Sequence, residues 1–576
     1  MRRLIAALFA LTLLAAPARG APPASDFPWR EWSDEVFAQA ARENKFVLLS
    51  LQSWWCPWCH VMNTDTYDNA EIRAYLLEHF IPVRVDQDSR PDISQRYERW
   101  GWPATVIFAA DGTEIVKLRG FYSPKFFLPV LQETVKDPSP VDYGTPGGPE
   151  RERSLVTGLT DAQRAEIVAF IDKAYDADNG GWGKSKLVDG PTLTWALDRA
   201  KAGDKEMAQR ARRTIDQLVK MIDSETGAVS QVSLAPDWSK PAREFPMFAT
   251  EGALKAFSYA YALWGEAGHR AAAARIVAYL RDTLRDANGG FYTSLGRERG
   301  NPGIDRSQYA RENGQAIAGL LAYYDATGDK AVLQMAVGAA EWALANRRRP
   351  DGGFRHAEKD SAGPYLSDSL TMSWALLGLH RSTGERRWLA QAQRTADFIA
   401  ATFVEARTGG FLVTATPAAS VIKATDKQRE DNVLAVRLFN LLHFYTGETR
   451  YREIAEAGMG YLTSPAVLDA YGFLPDVLQA EDELRHEPVH VTIIGPRDDA
   501  RTADLQRAAL AYPMTHKRAE LWDRREGALA NHDVEYPEYP EPAAFACTRN
   551  FCSLPVTDPG AIDEQLDRLQ RALPAR

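Results

Sequence analysis

A repeated glycine turn runs through the chain from about residue 160, and it constrains the fold more than any other feature. The turn has four clear copies: Gly180-Gly181-Trp182, Gly289-Gly290-Phe291, Gly352-Gly353-Phe354 and Gly409-Gly410-Phe411. Two further copies are degraded: Gly227-Ala228-Val229 and Tyr471-Gly472-Phe473. Their third residues fall at 182, 229, 291, 354, 411 and 473, in steps of 47, 62, 63, 57 and 62 residues. A long, regular period indicates a repeat architecture.

Each period also carries an acidic residue and a later turn glycine. Glu312, Asp368 and Asp431 each open an apolar helical pattern. Each precedes a Thr-Gly turn glycine by 16 residues, at Gly328, Gly384 and Gly447, and Glu251 with Gly268 is a looser fourth member. Each period therefore holds two helices: an inner helix, and an outer helix that is partly exposed to solvent. Six such hairpins over residues 159–486 predict an (α/α)6 toroid, and an open solenoid, which needs polar capping repeats, is the alternative.

The first part of the chain alternates strand and helix patterns, which predicts an α/β domain over residues 25–137. The apolar run Lys45–Gln52 reads as a strand that leads into Trp54-Trp55-Cys56-Pro57-Trp58-Cys59-His60. The predicted elements after this motif are helix Ala70–Phe80, strand Ile81–Asp86, helix Asp92–Trp100, strands Ala104–Ala109 and Glu114–Arg119, and helix Pro124–Lys136. The last two strands flank an Asp-Gly pair, which is typical of a hairpin turn. A Pro- and Gly-rich linker follows, over residues 138–158.

The spacing of Cys56 and Cys59 predicts redox chemistry. Cys56 follows a strand and stands at the start of the next helix, where backbone N–H groups and the helix dipole favour a thiolate. Cys59, one turn later, is then the resolving thiol. Pro57 suits the first helical turn, where its missing N–H costs nothing. Pro103 lies 44 residues after Cys59 and precedes a predicted strand.

The segment Lys45–Gln132 resembles a thioredoxin domain, on the motifs WWCPWCH, VRVDQD, GWPATVIFAADGTEIV and GFYSPKFF. This resemblance implies that Cys56 attacks, that Cys59 resolves, and that Pro103 is a cis-proline facing the sulfurs. Most of the chain, including the C-terminal ACTRNFCSLPVTDP, resembles the thioredoxin-like family of spermatogenesis-associated protein 20. That resemblance implies a thioredoxin domain joined to a six-hairpin toroid of the kind found in glycosidases.

Two other interpretations of the Cys-x-x-Cys motif stay open. The pair can be a structural disulfide. Cys56-x-x-Cys59-His60 also satisfies the haem c attachment pattern. A zinc site would need a second pair of ligands that the spacing does not supply. No metal and no cofactor beyond the thiols is therefore expected.

The remaining cysteines, Cys547 and Cys552, lie in a small α/β C-terminal segment over residues 487–576. A strand, Val489–Ile494, and a helix, Thr502–Ala511, are predicted there, followed by an irregular Pro-rich tail that packs on the toroid. A disulfide between these cysteines would stabilise the tail by restricting the unfolded chain. The alternative is a second dithiol that exchanges with Cys56 and Cys59.

The acidic residues of the repeat form a candidate ligand site. If Glu251, Glu312, Asp368 and Asp431 open inner helices, their carboxylates gather at one mouth of the toroid. Crowding there would separate their pKa values, so that one carboxyl group stays protonated while another is ionised. Glycosidases require such a pair of carboxyl groups. Flat aromatic side chains for a sugar ring are available at Trp182, Trp238, Tyr309, Tyr365 and Trp374. The alternative is structural, because acidic residues also stabilise helix N-termini by themselves.

Composition and the N-terminus indicate a secreted protein. The chain has 576 residues with 68 Lys and Arg against 77 Asp and Glu, a net charge of −9, which excludes the basic surface of a nucleic-acid binder. Arg2-Arg3, the apolar run Leu4–Ala16 and the small residues after it predict a signal peptide over residues 1–20 and a periplasmic location. No membrane span is expected in the mature chain.

The predicted protein is therefore a multidomain chain, with an N-terminal thioredoxin fold, an (α/α)6 toroid and a small α/β segment. Its favoured activity is thiol–disulfide exchange with a protein dithiol or disulfide partner, and the toroid serves recognition. The first alternative is a carbohydrate-processing enzyme of the glycosidase or epimerase type that binds its ligand at the toroid mouth. The second alternative is a non-catalytic scaffold.

Overall fold

The computed structural model describes residues 27–144, 158–298, 301–358, 362–415, 421, 426–548 and 551–572. The predicted signal peptide lies outside these residues, as do residues 145–157 of the predicted linker. None of the helices in the described part of the chain combines the length and the apolar character needed to cross a bilayer.

The N-terminal domain is built on one mixed sheet. A π-helical turn, Met62–Tyr67, continues its second helix, and a 3₁₀ turn, Glu98–Trp100, follows its fourth. In chain order, the regular elements are α1 (Asp34–Glu43), β1 (Phe46–Gln52), α2 (Pro57–Val61), α3 (Ala70–His79), β2 (Phe80–Asp86), α4 (Pro91–Tyr97), β3 (Ala104–Phe108), β4 (Glu114–Arg119) and α5 (Pro124–Lys136).

The strands of this sheet have the order β2-β1-β3-β4. Strand β1 is parallel to β2 and antiparallel to β3, and β3 is antiparallel to β4. Alternate residues of β1 point to opposite faces of the sheet: Val47 and Leu49 enter one hydrophobic cluster, whereas Leu48 packs with Phe127 of α5 in another. Both faces are thus covered, and the α/β architecture predicted for this part of the chain is confirmed.

The central region is almost entirely helical, with short strands in its connections. Its elements are α6 (Asp161–Ala174), β5 (Lys186–Leu187), α7 (Gly190–Lys201), α8 (Lys205–Leu218), β6 (Val232–Ser233), β7 (Phe245–Pro246), α9 (Met247–Trp264), α10 (Ala267–Tyr279), β8 (Ser294–Glu298), β9 (Asn301–Asp305), α11 (Ala310–Thr327), α12 (Lys330–Asn346), α13 (Leu366–Thr383), α14 (Arg386–Phe403), α15 (Arg429–Thr446), α16 (Thr449–Leu462), α17 (Pro465–Leu468) and α18 (Pro475–Arg485).

Six of these helices form a closed inner ring, because each contacts the next and the last contacts the first, in the order α7, α9, α11, α13, α15, α18. Helices α8, α10, α12, α14 and α16 pack outside their inner partners, and α6 packs against α18. The first helix of the region thus completes the last hairpin. The ring confirms the predicted (α/α)6 toroid and excludes an open solenoid.

Glycine occupies the two kinds of turn in the repeat for different physical reasons. Gly328, Gly384 and Gly447 end α11, α13 and α15 in the left-handed conformation, as the Thr-Gly pattern predicts. In the Gly-Gly-aromatic turns the chain passes close to an outer helix: a Cβ at Gly352 would lie 2.8 Å from the carbonyl oxygen of Arg394. Only glycine fits there, because it combines positive φ with no side chain.

The fourth acidic repeat differs from the prediction. Helix α9 starts at Met247, so Glu251 lies in its second turn, whereas Glu312 is the third residue of α11. The glycine that ends α9 is Gly265, with φ of 70°, and Gly268 lies inside α10. Extra residues before Glu251 place its side chain deeper along the ring axis than the other acidic residues.

The C-terminal segment forms a second mixed sheet, so the prediction of an irregular tail after residue 511 was wrong. Its strand order is β11-β10-β12-β13, with β10 parallel to β11 and antiparallel to β12. This pairing repeats that of the N-terminal sheet. Its elements are β10 (Val489–Ile494), α19 (Ala500–Ala511), β11 (Lys517–Trp522), β12 (Ala543–Thr548), β13 (Phe551–Cys552) and α20 (Ile562–Ala572).

The two sheet domains lie at opposite ends of the toroid. Arg497 of the C-terminal segment donates to the carbonyl oxygens of Thr383 and Gly384, at the C-terminal end of α13. Gln95 of the N-terminal domain donates to Asp431, at the N-terminal end of α15. Inner helices such as α13 and α15 have 18 residues, which corresponds to roughly 27 Å. The two cysteine pairs are thus separated by the thickness of the toroid.

Candidate functional site

Cys56 is the N-cap residue of α2, directly after the loop that follows β1. Its Sγ accepts a hydrogen bond from the backbone N–H of Cys59 at 3.2 Å, and the two cysteines form a disulfide. Pro57 occupies the first helical position, as predicted. The helix continues without a break into the π-helical turn that ends at Tyr67. The motif is therefore held at the start of a continuous helical segment.

Both cysteines are buried, which the sequence did not predict. Cys56 is 2% exposed and Cys59 is 1% exposed. The two residues between them, Pro57 and Trp58, face outward, and Trp58 is 57% exposed and stacks on Phe121 with ring centroids 5.8 Å apart. The sulfurs are therefore shielded on their remaining sides by other residues.

Two tryptophans provide much of this cover. Trp55, just before Cys56, and Trp102, just before Pro103, pack against the two cysteines. The bond between Trp102 and Pro103 is cis, as the resemblance implied. The next residue, Ala104, pairs with Leu51 at the end of β1. The loop that contains Pro103 thus lies at the same edge of the sheet as the dithiol motif.

The toroid adds a further layer over the motif. Gly296 of the hairpin formed by β8 and β9 lies against Trp54 and Trp55, so that a Cβ at Gly296 would be 2.9 Å from the Cα of Trp55. More than 200 residues separate this contact along the chain, and no local sequence pattern marks it. We call this β8–β9 pair the covering hairpin.

Two aspartates of the motif VRVDQD support the loop before Cys56. Asp86 accepts from the backbone N–H of Trp54 at 3.1 Å, and Asp88 accepts from the indole N–H of Trp55 at 3.1 Å. Burial and the nearby charge of Asp305 raise the pKa of Asp86 to about 6. Burial and the charge of Asp86 raise the pKa of Asp88 to about 8. No local pattern in the sequence predicts this supporting role for the motif.

The N-terminal domain sits on the mouth of the toroid where the inner helices begin. Asp88 forms an ion pair with Arg311 at 3.3 Å, and its carbonyl oxygen lies 2.6 Å from the Nε2 atom of His356. Arg96 pairs with Asp426 at 3.1 Å. Asp88 and Arg311 border a cavity of about 700 Å³ between the two domains, which we call the interdomain cavity.

Three of the four predicted acidic residues line this cavity: Glu251, Glu312 and Asp431. Glu251 is paired with Lys255 at 3.1 Å. Glu312 is 3% exposed and bonds Arg311 through Oε1, while Oε2 has no hydrogen-bond partner among the described residues. Burial raises the pKa of Asp431 to about 6, although a hydrogen bond from Gln95 opposes this shift.

Asp368 does not belong to the group that faces the cavity. Its Oδ1 atom accepts from the backbone N–H of Arg311 at 3.0 Å and lies 2.9 Å from the Nδ1 atom of His356. The side chain is fully buried between these partners. Asp368 therefore connects α13 to α11, and the structure does not bring it to the surface that a ligand would contact.

The aromatic residues also separate into core and cavity groups. Of the five named as sugar platforms, Trp374 lines the interdomain cavity. Trp238, Tyr309 and Tyr365 are buried, and Trp182 packs against the helical core. The N-terminal domain supplies two further cavity aromatics, Trp55 and Trp102, that no sequence pattern assigns to this role.

The second cysteine pair forms a disulfide between directly opposed residues of β12 and β13. Cys547 is buried, whereas two apolar neighbours of Cys552 are exposed: Phe551 at 61% and Leu554 at 85%. Because this sheet lies at the far end of the toroid, exchange with Cys56 would have to cross the length of an inner helix. The geometry favours the predicted structural role.

Two regions of the chain match models of known protein families. Residues 23–128 match the Thioredox_DsbH model, described as a protein of unknown function, DUF255. Residues 197–457 match the model of the beta-L-arabinofuranosidase GH127 catalytic domain. A sugar epimerase from a ruminal bacterium has a TM-score of 0.45 at 16% identity, covering 52% of this chain and 85% of that structure.

Two relatives among known proteins match shares of the chain that differ in size. Spermatogenesis-associated protein 20 of Homo sapiens is 24% identical over 304 residues, which is 46% of this chain and 38% of that protein. The thiol:disulfide interchange protein DsbD of Ralstonia nicotianae is 29% identical over 106 residues, 18% of this chain and 17% of that protein. The matched region spans less than two fifths of the human relative. The predicted resemblance is confirmed: the chain is similar to spermatogenesis-associated protein 20 over part of its length, and it combines a region that matches the DsbH-type thioredoxin-like model with one that matches the GH127 model.

Proposed function

We propose that this protein is a thiol–disulfide oxidoreductase and that Cys56 and Cys59 are its reacting pair. The observation that carries the proposal is the position of Cys56 at the start of a helix, with its Sγ accepting the N–H of Cys59 at 3.2 Å. Backbone donors at a helix N-terminus stabilise a thiolate and so activate a cysteine. The related segment of DsbD, a thiol:disulfide interchange protein, supports a redox role.

In the proposed reaction the reduced form acts in two steps. The Cys56 thiolate attacks one sulfur of a substrate disulfide, so that a mixed disulfide forms and the first substrate thiolate leaves. The Cys59 thiolate then attacks the Cys56 sulfur and releases the second thiolate. Asp86 and Asp88 serve as positioning residues, because they hold the backbone of Trp54 and the ring of Trp55 immediately before the motif.

The test measures exchange with a dithiol reporter and a disulfide substrate in three variants of the full chain. Cys56→Ser should abolish exchange, and Cys59→Ser should accumulate mixed disulfides that mass spectrometry detects. The double variant Cys547→Ala/Cys552→Ala is the matched control and should keep the wild-type rate. Unchanged exchange in Cys56→Ser would refute the proposal.

A second candidate function is carbohydrate processing in the interdomain cavity. Glu312 favours it, because this buried carboxylate lines the cavity with one oxygen unpartnered among the described residues. Asp431 provides a second carboxyl group on the same wall, and its pKa is raised to about 6 by burial. Glu312→Gln should then remove activity on a glycan panel. If the native protein converts no oligosaccharide, this candidate fails.

We also propose that the protein works outside the cytoplasm. The predicted signal peptide and the two disulfides support this location, because disulfides persist in oxidising compartments. Fractionation of cells that produce the full chain tests the proposal. Recovery of an unprocessed chain in the cytoplasmic fraction would contradict it.

A further inference from the structure

The side of the dithiol motif that faces the toroid leads into the interdomain cavity. Trp55 and Trp102 pack against both cysteines, and the same two rings line the cavity. The sulfurs therefore lie one side-chain layer behind the cavity wall. A molecule in the cavity is separated from the disulfide by these two tryptophan rings, and at least one ring has to turn aside before a substrate sulfur can meet Cys56.

A protein substrate meets an obstacle on this side. Gly296 of the covering hairpin lies against Trp54 and Trp55, where a Cβ would already be too close to the Trp55 backbone. Asp88 and Arg311 join the two domains beside it. An extended segment of a folded partner would have to displace the hairpin before it reached the cysteines, whereas a small molecule would not.

Most cationic side chains of the cavity wall are paired with carboxylates within the protein. Lys255 pairs with Glu251 at 3.1 Å, Arg311 pairs with Glu312 and Asp88, and two further pairs follow the same pattern: Arg429 with Asp476 at 3.0 Å, and Arg437 with Glu483 at 2.8 Å. The described residues of the lining hold eight carboxyl groups and five cationic side chains in total, so the wall disfavours an anionic ligand. It suits a neutral or zwitterionic one.

Three polar atoms on the cavity wall have no hydrogen-bond partner among the described residues. They are Oε2 of Glu312, Oε1 of Gln95 and Oγ of Ser294. Glu312 is 3% exposed and Ser294 is fully buried, so bulk water does not satisfy them. A buried acceptor without a donor is costly. Once their side chains turn toward the cavity, these atoms would accept hydroxyl, amide or ammonium hydrogens of a bound molecule.

We propose that the substrate of Cys56 and Cys59 is a small, neutral or zwitterionic disulfide that binds in the interdomain cavity, and not a disulfide of a folded protein. This inference rests on the proposed thiol–disulfide exchange. The reduced enzyme and one molecule R–S–S–R give two molecules of R–SH and the Cys56–Cys59 disulfide. The substrate is the oxidant, it gains two electrons, and the two protons come from the two cysteine thiols.

The test compares substrates of different size on the reduced full chain. The probes are 2-hydroxyethyl disulfide, which is neutral, cystine, which is zwitterionic, and insulin as the protein disulfide. The second-order rate should be at least about tenfold higher for the two small probes than for insulin. Equal or faster exchange with insulin would overturn the inference and leave the proposed function standing. Loss of Cys56-dependent exchange with every probe would instead remove both.

Variants of the cavity and the hairpin sharpen this test. Ala318 lines the cavity, and Ala318→Trp should slow the small probes at least about tenfold, whereas Ala390→Trp on the exposed side of α14 should not. Gln315→Trp, also on the cavity wall, is the second blocking variant if Ala318→Trp fails to fold. Gly296→Val should raise the insulin rate by displacing the hairpin, while Gly268→Val, in open space, should not. Unchanged small-probe rates in both folded blocking variants would overturn the inference.

Discussion

The carboxylate of Asp88 lies 3.3 Å from the guanidinium of Arg311, and this ion pair joins the N-terminal domain to the first turn of an inner toroid helix. Arg311 also pairs with Glu312. One cation therefore contacts two buried carboxyl groups from different domains. The same contact borders the interdomain cavity, so the stability of the interface and the shape of the candidate site depend on one residue.

Removal of this cation should destabilise the protein strongly. Arg311→Met leaves Asp88 and Glu312 buried without their partner, and loss of one member of a buried pair costs about 3–5 kcal/mol. The matched control is Arg568→Met, because Arg568 pairs with Glu564 on the surface, where both side chains are more than 60% exposed. An exposed pair contributes about 1 kcal/mol or less. Thermal unfolding of the two variants measures the difference, and equal melting temperatures would contradict the prediction.

The interface should weaken as the pH rises. Burial and neighbouring carboxylates raise the pKa of Asp88 to about 8, well above the roughly 3.9 of an unfolded aspartate. A raised folded pKa stabilises fully below the unfolded value, and this contribution is lost as the pH rises to the folded pKa. The groups that face Asp88 are Asp86, Asp305, Arg311, Glu312 and His356.

The free energy of unfolding of the wild type should therefore fall between about pH 5 and pH 8, by at most about 1.4 kcal/mol per pH unit for this one group, and melting temperatures measured at each pH should level off above pH 8. Asp88→Asn keeps an acceptor for the indole of Trp55 but does not ionise, so its curve should be flatter over this range. Parallel curves for the two proteins would show that Asp88 does not titrate there.

The glycine turns of the repeat should tolerate no side chain where they touch an outer helix. At Gly227 φ is 79°, and a Cβ would lie 2.6 Å from the carbonyl oxygen of Arg275. Gly203 also has positive φ, at 101°, but nothing lies within 4 Å of its Cβ position. Both Gly→Ala variants pay about 1–2 kcal/mol for the left-handed backbone. Gly227→Ala should lose clearly more stability than Gly203→Ala in chemical unfolding, and equal losses would argue against the close packing.

Much of the architecture was predictable because its signals are local. Gly328, Gly384 and Gly447 end their helices as the Thr-Gly turns predicted, since a left-handed helix end selects glycine from its own backbone geometry. Cys56 caps α2 because a strand, a loop and Pro57 precede a helical pattern. Each of these features depends on a few adjacent residues.

The candidate site was only partly predictable, because its contacts join distant parts of the chain. Glu312 and Asp368 occupy the same third position of their helices, yet one lines the cavity and the other is buried against His356. Trp238 and Trp374 are equal candidates for a sugar platform in the sequence, but Trp238 is buried in the hydrophobic core and Trp374 lines the cavity. The helical period places a residue along its helix and leaves open which neighbour covers it.

The amino-acid sequence alone determined that the chain contains a dithiol at a helix start, a ring of six helical hairpins and four paired cysteines, because spacing and turn chemistry act over short distances. Only the tertiary structure decided that the dithiol lies beneath a toroid hairpin beside a shared cavity. That arrangement depends on the contact of Gly296 with Trp55 and on the packing of Trp55 and Trp102 against the two cysteines. Gly296 and Trp55 are more than 200 residues apart, and shape complementarity between such distant segments produces no repeating pattern in a sequence.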